Sequence, residues 1–126
     1  MTKSLKDKIR AATLGKRKTF KSEIVSFDGV NIEVRQLSLA ARRDYMTASL
    51  DKITDRKGNE TQQANLLKLQ VNAVIASSYV PGEDTLIFDD TDFNSIKDSV
   101  TGGYADAIWE AVQRLSNITT DEAKKN

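Results

Sequence analysis

The sequence predicts a single small α+β domain with one β-hairpin and about five helices. The chain has 126 residues, a common size for one domain, and 39% of them are hydrophobic while 29% are charged. An Asp-Gly dipeptide lies between two extended segments, as in a tight hairpin. Elsewhere apolar residues recur at helical spacing, and one proline and six glycines leave room for long regular elements.

The first 21 residues differ in charge from the rest of the chain. They contain eight basic residues and one acidic residue, a net charge of +7, whereas residues 22–126 contain 11 basic and 17 acidic residues, a net charge of −6. We therefore divide the chain into a basic N-terminal helix or arm (1–21), an α+β core domain (22–118) and a polar C-terminal tail (119–126). The arm lacks the apolar segment of a signal peptide, so we expect no secretion.

A short helix is predicted within the basic arm. Ser4 and Asp7 resemble a capping box with aspartate in place of glutamate, and Gly15 is typical of a C-terminal stop. The apolar positions of this helix are Leu5, Ile9 and Ala12. Because so thin a stripe gives a marginal helix, we expect it to dock on, or become ordered by, a partner.

The hairpin is predicted from "EIVSFDGVNIEVRQL", residues 23–37. Asp28-Gly29 suits a two-residue turn, in which both central residues need positive φ. Ile24, Ile32 and Val34 alternate with polar residues, which predicts one buried face.

Two longer helices are predicted next. Ser38 is a good N-cap for the first, and an inward stripe is expected at Leu39, Met46, Leu50 and Ile53. Residues 54–61 are expected to form a polar loop. The second helix is predicted over residues 62–80. Apolar residues occupy a large part of its circumference, which favours a central position in the fold. Its predicted inner face consists of Leu67, Val71, Val74 and Ile75, widened by Leu66, Leu69, Ala73 and Ala76.

The C-terminal third is predicted to contain two more helices. A short extended piece is expected at 86–88, followed by a helix capped by Thr91 or Asp92. This helix carries Phe93, Ile96 and Val100. Gly102-Gly103 breaks the chain before a last helix over 104–118, in which Ile108, Trp109, Val112 and Leu115 are expected in the core.

The composition argues against catalysis. The chain has no cysteine and no histidine, which excludes disulfides, sulfur or imidazole zinc sites and histidine-based triads. The acidic segment 83–92 fails as a calcium loop, since position six from Asp84 is Asp89 and position twelve from Asp90 is Thr101. Its aspartates are interpreted as helix caps. We expect no enzyme, no cofactor and no metal site.

The candidate partner-binding site lies in the helix that follows Ser38 and consists of Arg42, Arg43 and Tyr45. Arg42 and Tyr45 lie three residues apart and can share one helix face, and both residue types are enriched at binding hot spots. The alternative is that the arginines are simply solvated or cover neighbouring side chains.

The order of these elements resembles the tail assembly chaperones of long-tailed (siphovirus-type) bacteriophages. The similar parts are a helix "LKDKIRAA", a hairpin "SEIVSFDGVNIEVRQLS", a capped helix with Arg42 and Tyr45, the segment "LIFDDTDFNSI", and "AIWEAVQRLSNIT" with a polar end "DEAKKN". The sequence departs from the family at Ala41, where glutamate often completes a capping box. The Leu37-Ser38 junction and "RLSNIT" are the most characteristic pieces.

The resemblance implies a non-enzymatic chaperone of virion morphogenesis. Such proteins bind the tape-measure protein in the host cytoplasm, keep it soluble, help recruit tail-tube subunits and are absent from the mature virion. We expect a homo-oligomer without specific nucleic-acid binding and without membrane insertion. Two alternatives remain at this point: a small nucleic-acid-binding protein that uses the charge of the basic arm, and a structural tail component.

Overall fold

The computed structural model describes residues 4–14 and 20–116. Within them the chain forms five α-helices and two small sheets, which confirms the predicted α+β class. The helices are α1 (Leu5–Leu14), α2 (Leu39–Ala48), α3 (Leu66–Ser77), α4 (Phe93–Lys97) and α5 (Tyr104–Ser116), with a 3-10 turn at Asp90–Asp92. The strands are β1 (Ser22–Phe27), β2 (Val30–Arg35), β3 (Leu50–Thr54), β4 (Glu60–Ala64) and β5 (Ser78–Tyr79).

The predicted hairpin is confirmed as β1–β2. Asp28 and Gly29 both have positive φ, 56° and 82°, as the tight turn requires. Val25 lies opposite Ile32, and this pair faces the core together with Val34. Ile24, which we expected on the buried face, lies opposite Glu33 and is exposed, because one residue of offset reverses the face in a strand.

The core lies between the first sheet and the helices α3 and α5. Val34 of β2, Val74 of α3 and Ile108 of α5 are completely buried. Strand β5 continues directly from α3 and pairs antiparallel with β2, which joins the central helix to the sheet. The predicted central position of this helix is therefore confirmed, although α3 ends at Ser77 and not at residue 80.

The chain between α2 and α3 differs from the prediction. We expected a helix through Ile53, a loop over 54–61 and a helix from residue 62. Instead β3 and β4 form a second antiparallel hairpin, a two-stranded sheet of its own. The Asp55 carboxylate accepts backbone N–H groups of Lys57 and Asn59 and closes the connecting turn. Helix α3 starts only after Asn65, whose side chain accepts from the backbone N–H of Lys68 at 3.1 Å.

The acidic segment 83–92 is held by local hydrogen bonds and by Arg35. The Asp89 side chain accepts the backbone N–H of Thr91, and the backbone N–H of Asp89 donates to Asp92, which completes a capping box. Capping by aspartate is thus confirmed, with Asp89 as the cap of the 3-10 turn. The expected extended piece at 86–88 is reduced to a single bridge between Tyr79 and Leu86.

Helix α4 follows the 3-10 turn and is shorter than predicted. It begins after Asp92, as expected, but Asp92 makes no side-chain cap bond to α4. Ile96 is buried, whereas Val100 lies beyond the helix and is exposed. Helix α5 begins at Tyr104 as predicted, and Trp109 is half-buried beside its fully buried neighbour Ile108.

Helix α1 is confirmed, with Ser4 accepting the backbone N–H of Asp7 at 3.1 Å. None of its residues is buried. The predicted stop at Gly15, the last two residues of the predicted final helix and the tail 119–126 lie outside the described residues. Among the helices that are described, none has both the length and the apolar character of a membrane span.

Candidate functional site

Helix α2 is fixed to the molecule by a polar contact at its C-terminal end. The buried Ser49 hydroxyl donates to the backbone carbonyl of Tyr45 at 2.6 Å and accepts from the Asn72 side chain at 3.1 Å. Asn72 belongs to α3, so this pair of bonds joins the two helices. Ser38 caps the other end, accepting the backbone N–H of Ala41 at 3.1 Å, as predicted.

The face of α2 that turns inward is the opposite of the predicted one. Tyr45 is only 9% exposed and belongs to the core, whereas Leu39 is 77% and Met46 48% exposed. The expected inward stripe depended on a helix that continued through Leu50 and Ile53, and those residues lie on β3. Once the helix ends at Ala48, burial of the large Tyr45 ring outweighs the remaining stripe.

A first groove lies between α2, α3 and α5, and we name it the arginine groove. Its volume is about 380 Å³. It is lined by Arg42, Tyr45, Met46, Leu66, Leu69, Trp109, Val112, Gln113 and Ser116. An aromatic, aliphatic and thioether lining with a single charged residue is typical of a binding cleft.

The arginine groove continues beyond Arg42. A neighbouring depression of about 290 Å³ shares Arg42 and Ser116 with it and adds the exposed side chains of Phe20 and Leu39. The two depressions together give a trough, open to solvent, that follows α2. Its lining is mainly apolar in the arginine groove and mixed apolar and polar beyond Arg42.

A second groove lies on the other side of Tyr45, and we name it the aspartate groove. It has a volume of about 330 Å³ and an apolar lining. The lining residues are Ala41, Asp44, Tyr45, Ala48, Asn72, Ile75, Ala76, Leu86 and Asp90. Its two carboxylates, Asp44 from α2 and Asp90 from the acidic segment, are both exposed.

The three predicted site residues do not share one location. Arg42 and Tyr45 meet in the arginine groove, while Arg43 is exposed and lines neither groove. Burial raises the pKa of the Tyr45 hydroxyl, and the nearby Arg42 charge lowers the same pKa to a smaller extent. Tyr45 is therefore a neutral part of the wall, and Arg42 is the charged residue that a partner would meet at this groove.

Sequence reasoning missed Met46, Leu66 and Trp109 as site residues. Met46 and Trp109 were interpreted as core, and Leu66 as part of the inner face of α3. One feature of the sequence could have indicated them: the apolar residues of α3 cover more of the helix circumference than a single buried face requires. Leu66 is 77% exposed at the start of that helix.

Comparison of the chain with models of protein families, with curated proteins and with solved structures finds no match.

Proposed function

We propose that this protein is a tail assembly chaperone of a long-tailed bacteriophage. In this proposal it binds the tape-measure protein in the host cytoplasm, keeps it soluble, helps to recruit tail-tube subunits and is absent from the finished virion. It acts by binding and carries out no catalysis. The proposal combines the family resemblance of the sequence with one structural observation, the open trough along α2 whose main part, the arginine groove, is lined mostly by apolar side chains.

The exposure of this trough supports a binding role. Leu66 is 77% and Met46 48% exposed in the arginine groove, and Leu39, also 77% exposed, lines the neighbouring depression. Neighbouring exposed apolar side chains that line one open cleft are a common mark of interaction sites. A helical client would place residues at i, i+3 or i+4, and i+7 into such a groove.

The chemistry of the groove suits a client with many similar helical segments. Met46 is unbranched and flexible, so it can adapt to different side chains. Trp109 and Tyr45 supply rigid apolar area. Arg42 can pair with an acidic residue that flanks the apolar stripe of a client helix. Tape-measure proteins are long and mostly helical, and before assembly they would expose such faces.

Co-expression with the tape-measure protein encoded near this chain tests the proposal. We expect the wild-type protein to keep the client soluble and to co-purify with it. Met46→Ser and Leu66→Ser should each reduce the retained client about tenfold or more, because they truncate central anchors. Both side chains are exposed, so the fold should be unaffected.

A matched control is Val30→Ser, because Val30 is an apolar residue with an exposure of 60%, between those of Met46 and Leu66, and lies at the start of β2, outside the lining of both grooves. It should retain the client fully. A wild-type protein that never retains the client would refute the chaperone proposal. Retention by Met46→Ser and Leu66→Ser at the wild-type level would refute the groove as its site, and presence of the protein in purified virions would favour the structural alternative.

A further inference from the structure

We propose that Arg42 and Tyr45 form a carboxylate-binding pair, which selects client helices that carry an acidic side chain beside the middle of their apolar stripe. This inference rests on the proposed function and names the chemistry that the client site reads in its partner. It is carried by the polar groups of the two side chains, which have no partner in the part of the chain that the structure describes, and by the position of Arg42 between the two depressions of the trough.

Arg42 differs from the other half-buried arginine among the described residues. Arg35 donates to the carboxylates of Glu33 and Asp84 at 2.9 and 2.8 Å. The side chain of Arg42 is half-buried too, yet no described residue forms an ion pair or a hydrogen bond with its guanidinium group. A partly desolvated guanidinium group gains most from a carboxylate, whose two oxygens can accept two of its N–H groups. Arg42 therefore lacks the kind of partner that Arg35 has.

The Tyr45 hydroxyl is the second polar group of the pair. No described residue forms a hydrogen bond with this hydroxyl, although Tyr45 belongs to the core. The oxygen is nevertheless not sealed inside, because the described residues include no buried side-chain oxygen without a partner. A helical tyrosine points over the turn that precedes it, which places its hydroxyl on the side of Arg42. Burial raises the pKa of this hydroxyl and the Arg42 charge lowers the pKa to a smaller extent, so the group is a neutral donor beside the guanidinium group.

The positions of three residues along α2 define the client pattern. Leu39 and Met46 lie within about 20° of each other around the helix and about 10 Å apart along its axis, with Arg42 beside them at mid-length. Arg42 lines both depressions, whereas Leu39 lines only one and Met46 only the other. Among the described residues, no carboxylate lines either depression. A client helix along α2 would therefore place apolar residues at i and i+7 and an acidic residue at i+3 or i+4.

Fluorescence titration with two designed peptides tests the proposal. Trp109 is the only tryptophan of the chain and lines the arginine groove, so its emission reports occupancy. The peptides are alanine-rich helices of about 20 residues without aromatic side chains. Both carry leucine at i and i+7, and they carry either glutamate or glutamine at i+3 and i+4, two residue types of similar helix propensity. The glutamate peptide should bind about tenfold more tightly, because its hydrogen bonds to the pair are assisted by charge.

Side-chain variants assign this preference to the pair. Arg42→Gln should weaken binding of the glutamate peptide about tenfold and Tyr45→Phe about threefold, while binding of the glutamine peptide changes little in either variant. Arg56→Gln is the matched control: it removes the same charge from an exposed arginine outside both depressions and should leave both affinities unchanged. Tyr45→Phe should also unfold at the same denaturant concentration as the wild type or a higher one, whereas loss of a hydroxyl with a structural role would lower that concentration.

The possible results separate this inference from the proposed function. Equal affinity for the two peptides would overturn the carboxylate-binding pair and leave the arginine groove as a client site. An unchanged Trp109 emission with both peptides at concentrations on the order of 1 mM would overturn the groove and the pair together. A clear preference for the glutamate peptide in a protein that retains no tape-measure client would support the pair and refute the chaperone proposal.

The acidic residues of the chain's own C-terminal tail, Asp121 and Glu122, are the alternative source of a carboxylate. If they occupied the pair, Asp121→Asn/Glu122→Gln would remove a competitor and would bind the glutamate peptide about tenfold more tightly than the wild type. That result would overturn the assignment of the pair to a client. We expect this variant to bind both peptides as the wild type does.

Discussion

The two hairpins of this protein are built from different kinds of interaction. One face of β1–β2 is in the core, with Val34 completely buried, and β5 extends it to a three-stranded sheet. Within the part of the chain that the structure describes, the hairpin β3–β4 has no buried residue and pairs with no third strand. A two-stranded hairpin is marginal in water unless other parts of the molecule hold it.

Polar contacts replace burial in the second hairpin. The Asp51 carboxylate accepts from the ammonium group of Lys68 at 2.5 Å and from the Asn65 side chain at 2.7 Å, which ties β3 to the start of α3. Asp55 organises the turn. Exposed ion pairs contribute little each, so we infer that β1–β2 carries the stability of the domain and that β3–β4 can open locally without unfolding it.

The largest difference in stability between the two hairpins is expected when an apolar side chain is truncated in each of them. Val34→Ala should lower the free energy of unfolding by about 2–3 kcal/mol, because it removes two buried methyl groups and leaves a cavity. Ile53→Ala on the exposed face of β3 should cost less than about 1 kcal/mol. Chemical denaturation of the two variants measures the contrast. Equal losses would show that β3–β4 is as integral to the cooperative unit as β1–β2.

A smaller difference in global stability is expected when the glycine in the turn of each hairpin is replaced by alanine. Gly29 and Gly58 have φ of 82° and 83°, and a methyl group on either would meet no atom within 4 Å. The local cost of alanine, about 1–2 kcal/mol for a left-handed residue, is therefore equal at the two sites. Gly29→Ala should lower the free energy of global unfolding by that amount.

The destabilisation caused by Gly58→Ala should appear in the local opening of β3–β4 and not in global unfolding. If β3–β4 opens locally, the strained turn is relieved without global unfolding, so amide exchange in β4 should become faster while global stability changes by less than about 1 kcal/mol. Hydrogen exchange and denaturation of both variants decide the matter. Identical behaviour at the two turns would remove the distinction between the hairpins.

The smallest change in the stability of β3–β4 is expected when the pH is lowered. The backbone N–H of Asn59 lowers the pKa of Asp55, and the hydrogen bond from Lys68 lowers the pKa of Asp51, both from an ordinary value of 3.8. A lowered pKa in the folded state contributes stability that is complete above 3.8 and is lost as the pH falls through the lower folded value. Exchange protection of β3–β4 should therefore decrease below pH 3.8.

A suitable control for acid is Asp55→Asn. An amide oxygen can still accept the turn N–H groups but does not titrate, so this variant should respond less to acid than the wild type. A wild-type β3–β4 that keeps full protection well below pH 3.8 would count against the polar account of this hairpin.

Local chemistry explains which parts of the fold could be predicted from the sequence. Asp28-Gly29 and Ser38 act on backbone atoms within a few residues, so their roles follow from residue type alone. The β3–β4 hairpin was missed because "ETQQA" has no apolar alternation and owes its strand conformation to pairing with β3. The buried face of α2 was missed because it depends on where that helix ends.

The candidate site was predicted only in part for a related reason. Arg42 was named from residue type and spacing alone, whereas the groove that it lines is assembled from α2, α3 and α5, which are distant in sequence. Leu66 and Leu67, both expected on the inner face of α3, are 77% and 50% exposed. Which apolar residues of α3 are left open depends on how the helices pack, and no local pattern in the sequence contains that information. The aspartate groove likewise joins α2 to the acidic segment, which is distant in sequence: Asp44 and Asp90 are 46 residues apart.

Methyl NMR of the protein with a helical segment of the tape-measure protein tests the central claim most directly, because it reports binding and its location together. The account predicts that methyl resonances of Met46 and Leu66 shift or broaden on addition of the segment, while those of Ile24 and Val30 on the first hairpin stay unchanged. Saturable binding whose shifts fall on Ile24 and Val30, with Met46 and Leu66 unaffected, would contradict the arginine groove as the client site. Absence of shifts at all four positions with every segment of the client would contradict the chaperone proposal.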